Sequence, residues 1–385
     1  MKRRRRLGIL SAAAVLAAFG VAAAPDTLYP FSEPEIQQIV AHGPWPPPAT
    51  KDPSNRASGN RAAIAWGAEL FREPRLSLDG MMSCANCHQA KRDFTDGLAR
   101  GKGLAGVDRN TPTVANVRLN RWFGWDGAGD SLWAQSLRPM LDPREMGSDV
   151  ARIAAAVRGT PALASGYRRA FGGMPPADDE ALAIDVAKAL AAFQETLETG
   201  RTPFDDFRDA LARGDRTAAA RYPLAAQRGL AIFIGKGQCN VCHLGPAFSN
   251  GEFHDVGIPH FLASGSVDTG RYEGIKKLQA NRHNLLGAYN DDPTRGTAMS
   301  TRHVEAQHRN FGEFKVPSLR NVARTAPYMH NGSLATLADV VRHYSEIDED
   351  RLHADGERIL KPLHLTDAER ADLIAFLESL SDRAR

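Results

Sequence analysis

All four cysteines of the chain fall in two runs, Cys84-Ala-Asn-Cys87-His88 and Cys239-Asn-Val-Cys242-His243, each pair of thiols followed at once by an imidazole. Two thiols three residues apart can each form a thioether with a haem vinyl group, and the adjacent His then lies under the iron as proximal ligand. With 4 Cys and 12 His in 385 residues, chance supplies one such run on the order of once in a thousand chains, and two far more rarely. Zinc and dithiol redox chemistry use the same residue types. Zinc ribbons, however, space their pairs by about 15 to 20 residues, whereas 155 separate Cys84 from Cys239. A redox dithiol explains neither the second copy nor the His after each.

The elements around the two runs repeat. Gly67-Ala-Glu-Leu70-Phe71 precedes the first and Gly229-Leu-Ala-Ile232-Phe233 the second. Downstream, Pro112-Thr-Val-Ala-Asn116-Val117 matches Pro317-Ser-Leu-Arg-Asn321-Val322, and 13 residues after each proline stands Trp125-Asp-Gly or His330-Asn-Gly. Leu132 and Leu337 follow at the same offset and mark a short helix over each haem. The predicted architecture is all-α: two cytochrome c-like domains, each around one covalently attached haem, with long irregular loops. Leu182, Val186, Leu190, Phe193 and Leu197 recur at helical spacing after Asp178 and Asp179, predicting a long core helix that closes the first half. Thr366 and Glu369 form a capping box for a last helix bearing Leu373, Phe376, Leu377 and Leu380. Expected boundaries are residues 1–23 as an export leader, 24–200 as the first domain, 201–220 as a linker and 221–385 as the second domain.

The halves differ in two ways. From His88 to Pro112 is 24 residues but from His243 to Pro317 is 74, so the second half carries about fifty extra residues, either a solvated insertion or a partner surface. Fourteen residues after Trp125 lies Pro139, while fourteen after His330 lies Tyr344. Proline cannot bind iron and tyrosine can, although His343 and Met329 are alternative ligands. The stretch from Gln89 to Gly124 contains neither His nor Met. It therefore offers the first iron no sixth ligand of either type, and an open position is what a small reactant needs.

The leader holds Lys2 and Arg3 to Arg6, then an uncharged apolar run from Leu7 to Val21 and small residues, with cleavage expected before Ala24. The run is shorter than the ~20 residues that span a bilayer, so no membrane anchor is expected after cleavage. Removing those five basic groups from 48 leaves 43 against 45 acids. A balance of −2 gives no global attraction for nucleic acid.

Taken together, these motifs resemble the bacterial di-haem cytochrome c peroxidase and MauG family from about Ala63 to Ser381. The resemblance rests on both C-x-x-C-H runs, Arg109-Asn110-Thr-Pro-Thr, Phe123-Gly-Trp125-Asp-Gly, Glu145-Met-Gly and Thr325-Ala-Pro327-Tyr-Met-His330-Asn-Gly. It implies that the first haem reacts with hydrogen peroxide, that Trp125 lies between the haems, and that Ca²⁺ sits at the Asn110 side chain and the Thr325 and Pro327 carbonyls. Such oxygens suit a hard cation. It also implies Glu145 as the acid/base carboxylate, with Gln135 and Pro139 as its neighbours. The missing loop His and the Tyr at position 344 resemble the MauG-like branch. MauG's Trp two residues before the second haem motif is replaced by Gly237.

Three functions follow as expectations. The first is a periplasmic peroxidase that draws electrons from a small c-type cytochrome or cupredoxin, its second, Tyr-ligated haem storing or relaying oxidising equivalents. The second is a maturation enzyme oxidising Trp or Tyr side chains of a partner protein. The third is a non-enzymatic electron carrier.

Overall fold

The computed structural model describes residues 27–258, 261–262, 264–349 and 358–383, so the expected leader lies outside the described residues. Regular structure is almost entirely helical. In the first half these are α1 (Glu33–Val40), α2 (Arg61–Leu70), α3 (Cys84–Cys87), α4 (Leu132–Leu141), α5 (Val150–Gly159), α6 (Pro161–Phe171) and α7 (Asp179–Gln194). There follow α8 (Pro203–Ala212), α9 (Arg216–Ala219), α10 (Leu224–Ile234), α11 (Arg271–Ala280), α12 (Met299–His303), α13 (Leu337–Glu346) and α14 (Asp367–Glu378). Among the described residues the one sheet is a two-residue antiparallel pair, β1 (Phe253–His254) against β2 (Phe314–Lys315).

Local chemistry sets the helix ends. The Asn60 side chain caps α2 by accepting from the Ala62 and Ala63 N–H groups, and Asp178 caps α7 likewise. Thr366 and Glu369 form the expected reciprocal box at α14. The apolar stripe of α7 is core as expected, and most of its other side chains are buried as well, because α2, α4 and α5 surround it.

Two apolar cores result. One gathers α2 and α4 to α7 around Trp66, Leu70, Trp133, Leu137, Met140 and Leu190. The other gathers α1, α8, α10, α13 and α14 around Phe204, Phe207, Phe233, Phe248 and Phe376. Each is built on the same helix crossing. A Cβ on Gly67 of α2 would lie 2.0 Å from the Ala189 carbonyl of α7, and one on Gly229 of α10 would lie 2.0 Å from the Asp372 carbonyl of α14. Only hydrogen fits at either contact. Further along, Asn116 and Asn321 both adopt left-handed backbone, φ 59° and 57°. Asn116 donates its N–H to the Leu197 carbonyl and takes the Thr199 N–H on its side chain, and Asn321 does the same with Leu380 and Asp382.

Three segments differ from expectation. Residues 201–220, expected as a linker, hold α8 and α9, and Phe204 and Phe207 are buried in the second core. Thr202 caps α8 and Pro203 fills its first turn. The N-terminal stretch, expected in the first domain, packs on the second core through Leu28, Phe31 and Ile39. Described stretches of the extra residues in the second half lie along the first half, with Leu285 and Ala298 buried in its core.

Candidate active site

Each C-x-x-C-H run forms one tight turn. In α3 the His88 N–H donates to the Cys84 carbonyl at 2.9 Å, and in the 3₁₀ turn Cys239–Val241 the His243 N–H donates to the Cys239 carbonyl at 2.9 Å. The thiols within each run therefore share a face, with the imidazole at its end. His88 Nδ1 bonds the Phe94 carbonyl at 3.1 Å and His243 Nδ1 the Phe248 carbonyl at 2.9 Å. That bond fixes the tautomer and leaves Nε2 as the coordinating atom. Burial lowers the pKa of both rings, that of His243 to about 4, so both are neutral and fit to bind iron.

No disulfide joins the four cysteines. Burial pushes Cys84 up to about 12 and Cys239 to about 12; burial, then Asp96 and Glu145, pushes Cys87 to about 11. None of these three is the poised thiolate that dithiol redox chemistry requires. Cys84 packs on the first core and Cys239 on the second, which excludes one four-thiolate zinc site. Two haem sockets fit this donor set.

α4 and the turn after it form a wall whose Glu145 lies within electrostatic reach of Cys84 and Cys87. A cavity of about 330 Å³ is lined by Gln135, Arg138, Asp142 and Glu145 from the first half and by Lys277, Asn281 and His283 from the second. Arg138 donates to Gln135 Oε1 at 2.8 Å, which orients the amide. The Glu145 carboxyl is raised above its ordinary value by burial and by Asp142, against the pull of Arg138 and Arg144. It is thus shifted toward the range of a group that both gives and takes a proton near neutrality. Pro139 stays in the turn of α4, and its carbonyl accepts from the Met146 N–H at 3.1 Å.

The loop after the first run is clamped onto this wall. Leu104 N–H donates to the Glu145 carbonyl at 2.9 Å and Ala105 N–H to that of Arg144 at 2.8 Å. A Cβ on Gly103 would lie 2.5 Å from both Glu145 Cα and O. Sequence reasoning missed Gly103. A lone Gly carries no periodic signal, and only its close approach to another backbone reveals its role.

Between the halves, Trp125 Nε1 donates to the Asn110 carbonyl at 2.9 Å, and the Asn110 N–H donates to the His330 carbonyl at 2.8 Å. Trp125 and His330, equivalent in the repeat, are thereby joined through one residue. The His330 ring stacks on Phe314 with centroids 3.5 Å apart. Arg109 pairs with Asp126 at 2.8 Å and Asp268 at 2.6 Å. Burial works against ionised Asp126, but Arg109 and then Arg138 hold it at about 2. The Asn110 amide nitrogen is committed to the Leu98 carbonyl at 2.8 Å, leaving Oδ1 as its acceptor. Thr325 and Pro327 lie on the turn that the Asn110 N–H bond ties to this loop.

At the second run, Tyr344 is half-buried on α13 within electrostatic reach of Cys239 and Cys242; desolvation, then those thiols, raises its phenol above the ordinary value. Its neighbour His343 bonds the Val256 carbonyl through Nε2 at 2.8 Å. Met329 sits in left-handed backbone, φ 71°, in the turn before α13.

The di-haem cytochrome c peroxidase family model matches residues 61–213. The methylamine utilization protein MauG of Methylorubrum extorquens is 36% identical, covering 82% of this chain and 77% of its own. The chain belongs to the di-haem cytochrome c peroxidase family. A cytochrome-c peroxidase of a Pseudomonas species, IdrP2, is 33% identical over 84% of this chain and 82% of its own. Among solved structures, a MauG-like protein associated with microbial copper homeostasis has TM-score 0.66 and 27% identity, covering 88% and 96% of the two chains. This family member is an oxidoreductase acting on peroxide, with two haem cofactors. Among its described residues no helix is long and apolar enough to cross a membrane.

Proposed function

We propose that this family member is a periplasmic peroxidase that reduces hydrogen peroxide with electrons from a small c-type cytochrome or cupredoxin. Each half is a cytochrome c-like unit. Cys84, Cys87 and His88 would hold the first haem, and Cys239, Cys242, His243 and Tyr344 the second. A haem at the first socket supplies the iron that binds peroxide and the electrons that break its O–O bond.

The protein's part is proton handling and positioning. Glu145 Oε takes the proton of the entering peroxide and returns it to the oxygen that leaves as water; its raised pKa suits both halves of that exchange. Gln135, held by Arg138, orients the peroxide. The clamped loop would offer a haem iron at the first socket no His or Met of its own. Trp125, bonded to Asn110, would carry charge between the two sockets, and Asn110 with the Thr325 and Pro327 carbonyls would hold Ca²⁺.

The observation that carries this reading is the shared cavity of Gln135, Arg138 and Glu145. Partner-protein maturation by MauG's route is disfavoured at Gly237, where a Cβ would lie 2.8 Å from the Ile232 carbonyl and leave no room for Trp. The test is peroxide titration of the resting protein with a reduced small cytochrome. Oxidation of two cytochromes per peroxide, with a high-spin ferric signal at rest, is expected. A resting protein with both irons six-coordinate and no peroxide-dependent oxidation is the electron carrier instead.

A further inference from the structure

The segment after the second C-x-x-C-H run crosses to the first half and is bolted there at buried positions. Arg271 donates to the Gly127 carbonyl at 2.8 Å and lies 4.4 Å over the Trp122 ring and 4.0 Å over Phe253. A Cβ on Gly274 would lie 2.0 Å from the Asp126 carbonyl, so α11 rests directly on the turn after Trp125. His283 Nε2 bonds Glu180 of α7 at 2.7 Å. Asp130 takes the Leu285 N–H and the Thr301 hydroxyl, both at 2.8 Å, and Lys188 pairs with Asp291 at 2.6 Å. These bonds fix a strip of the second half, residues 271–283, against the first.

That strip supplies Lys277, Asn281 and His283 to the cavity whose other side is Gln135, Arg138 and Glu145. The cavity, about 330 Å³, is thus walled on one side by each half of the chain. A wall pinned at both ends and facing the proton-transfer group sets what reaches it. We propose that residues 277–283 are the entry filter of the first-haem pocket, so that the second half selects by size which peroxide the first half receives. This rests on the open first haem of the proposed function.

The filter is tested with two iron ligands of different bulk, cyanide and imidazole, followed by the Soret shift of the ferric first haem in the full-length holoprotein. Lys277→Ala with Asn281→Ala widens the entry and should raise the imidazole-to-cyanide ratio of association rates about tenfold. Asn281→Trp narrows it and should lower that ratio about as much. Lys277 is exposed, so Lys277→Ala alone carries the test should the Trp variant not fold. Opposite shifts from widening and narrowing are not what a merely structural role produces. Binding with an unchanged ratio overturns the filter alone. A wild-type protein that binds neither ligand overturns the open first haem, and the filter with it.

Discussion

Replacing Gly103 by Ala puts one methyl group into the contact between the clamped loop and the backbone of Glu145. The new Cβ would stand 2.5 Å from Glu145 Cα and O and 2.6 Å from the Arg144 carbonyl, where ordinary contact begins at 3.4 Å. The two backbones must part by about 0.9 Å. Gly103 has no left-handed φ, so the strain is steric alone and costs about 1–3 kcal/mol of stability, which a domain of this size survives. The effect on chemistry is larger in proportion. A displacement of about 1 Å in a positioned proton-transfer group lowers the rate about 10²-fold, or about 2.7 kcal/mol in the barrier. Stopped-flow reaction of the ferric protein with peroxide measures this directly, with haem content checked by absorbance. Glu145→Gln should cost about 10² by itself. Because both act through one carboxylate, the double variant should be no slower than about 10²-fold rather than 10⁴-fold. A Gly103→Ala protein of full haem content reacting within threefold of wild type would refute the clamp, and a multiplicative double variant would refute its action through Glu145.

Three further outcomes are expected. The rate of peroxide reaction should fall as pH drops through the raised pKa of Glu145, since the protonated carboxyl cannot accept, and Glu145→Gln should lose that acid limb while retaining the high-pH rate it has. Tyr344→Met exchanges a hard anionic donor for a soft neutral one and should raise the potential of the second haem in a spectroelectrochemical titration without moving the first; an unmoved second potential removes Tyr344 from the iron. Glu195 is raised from 4.5 to about 7 by burial, against a Ser58 bond and with help from Asp52, and its Oε1 has no partner. Its contribution is therefore full below pH 4.5 and is lost as pH rises through about 7, a fall of about 3 kcal/mol at about 1.36 per unit. Denaturant titrations of Glu195→Gln at pH 5 and 8 should show that fall removed; an equal pH dependence in both proteins would count against it.

What could be read in the sequence was what chemistry or local periodicity writes there. The C-x-x-C-H runs announce their own spacing requirement, and the repeat could be aligned because Gly67 and Gly229, or Asn116 and Asn321, meet backbone that tolerates no other residue or conformation cheaply. The α14 cap was legible because Thr366 and Glu369 satisfy each other's neighbours within four residues. The misplaced segments lack such local marks. Phe204 and Phe207 have no visible partner until Phe248 and Phe376, more than forty and 160 residues on, fold against them. The strip 271–283 is polar to the eye because its apolar side is small and its anchors are hydrogen bonds to another half of the chain. Pairing over such distances is a property of the fold and leaves no period in the sequence.

The N-terminal stretch has a consequence for how the molecule is put together. Tyr29 N–H donates to Gln227 Oε1, 198 residues away, the Gln227 amide returns a bond to the Thr27 carbonyl, and Ile39 is sealed in the core of Phe204 and Phe376. The described chain therefore begins on the second core, crosses to make the first, and returns. The described N-terminal residues have nothing to fold upon until α8 and α10 are made, so assembly cannot run in order along the chain, and such distant closure is slow. A cut near residue 200 would not yield two free-standing pieces. The front fragment would carry Phe31 and Ile39 as an uncovered apolar arm, and the rear fragment the groove that the arm fills, so the two would re-form one particle when mixed.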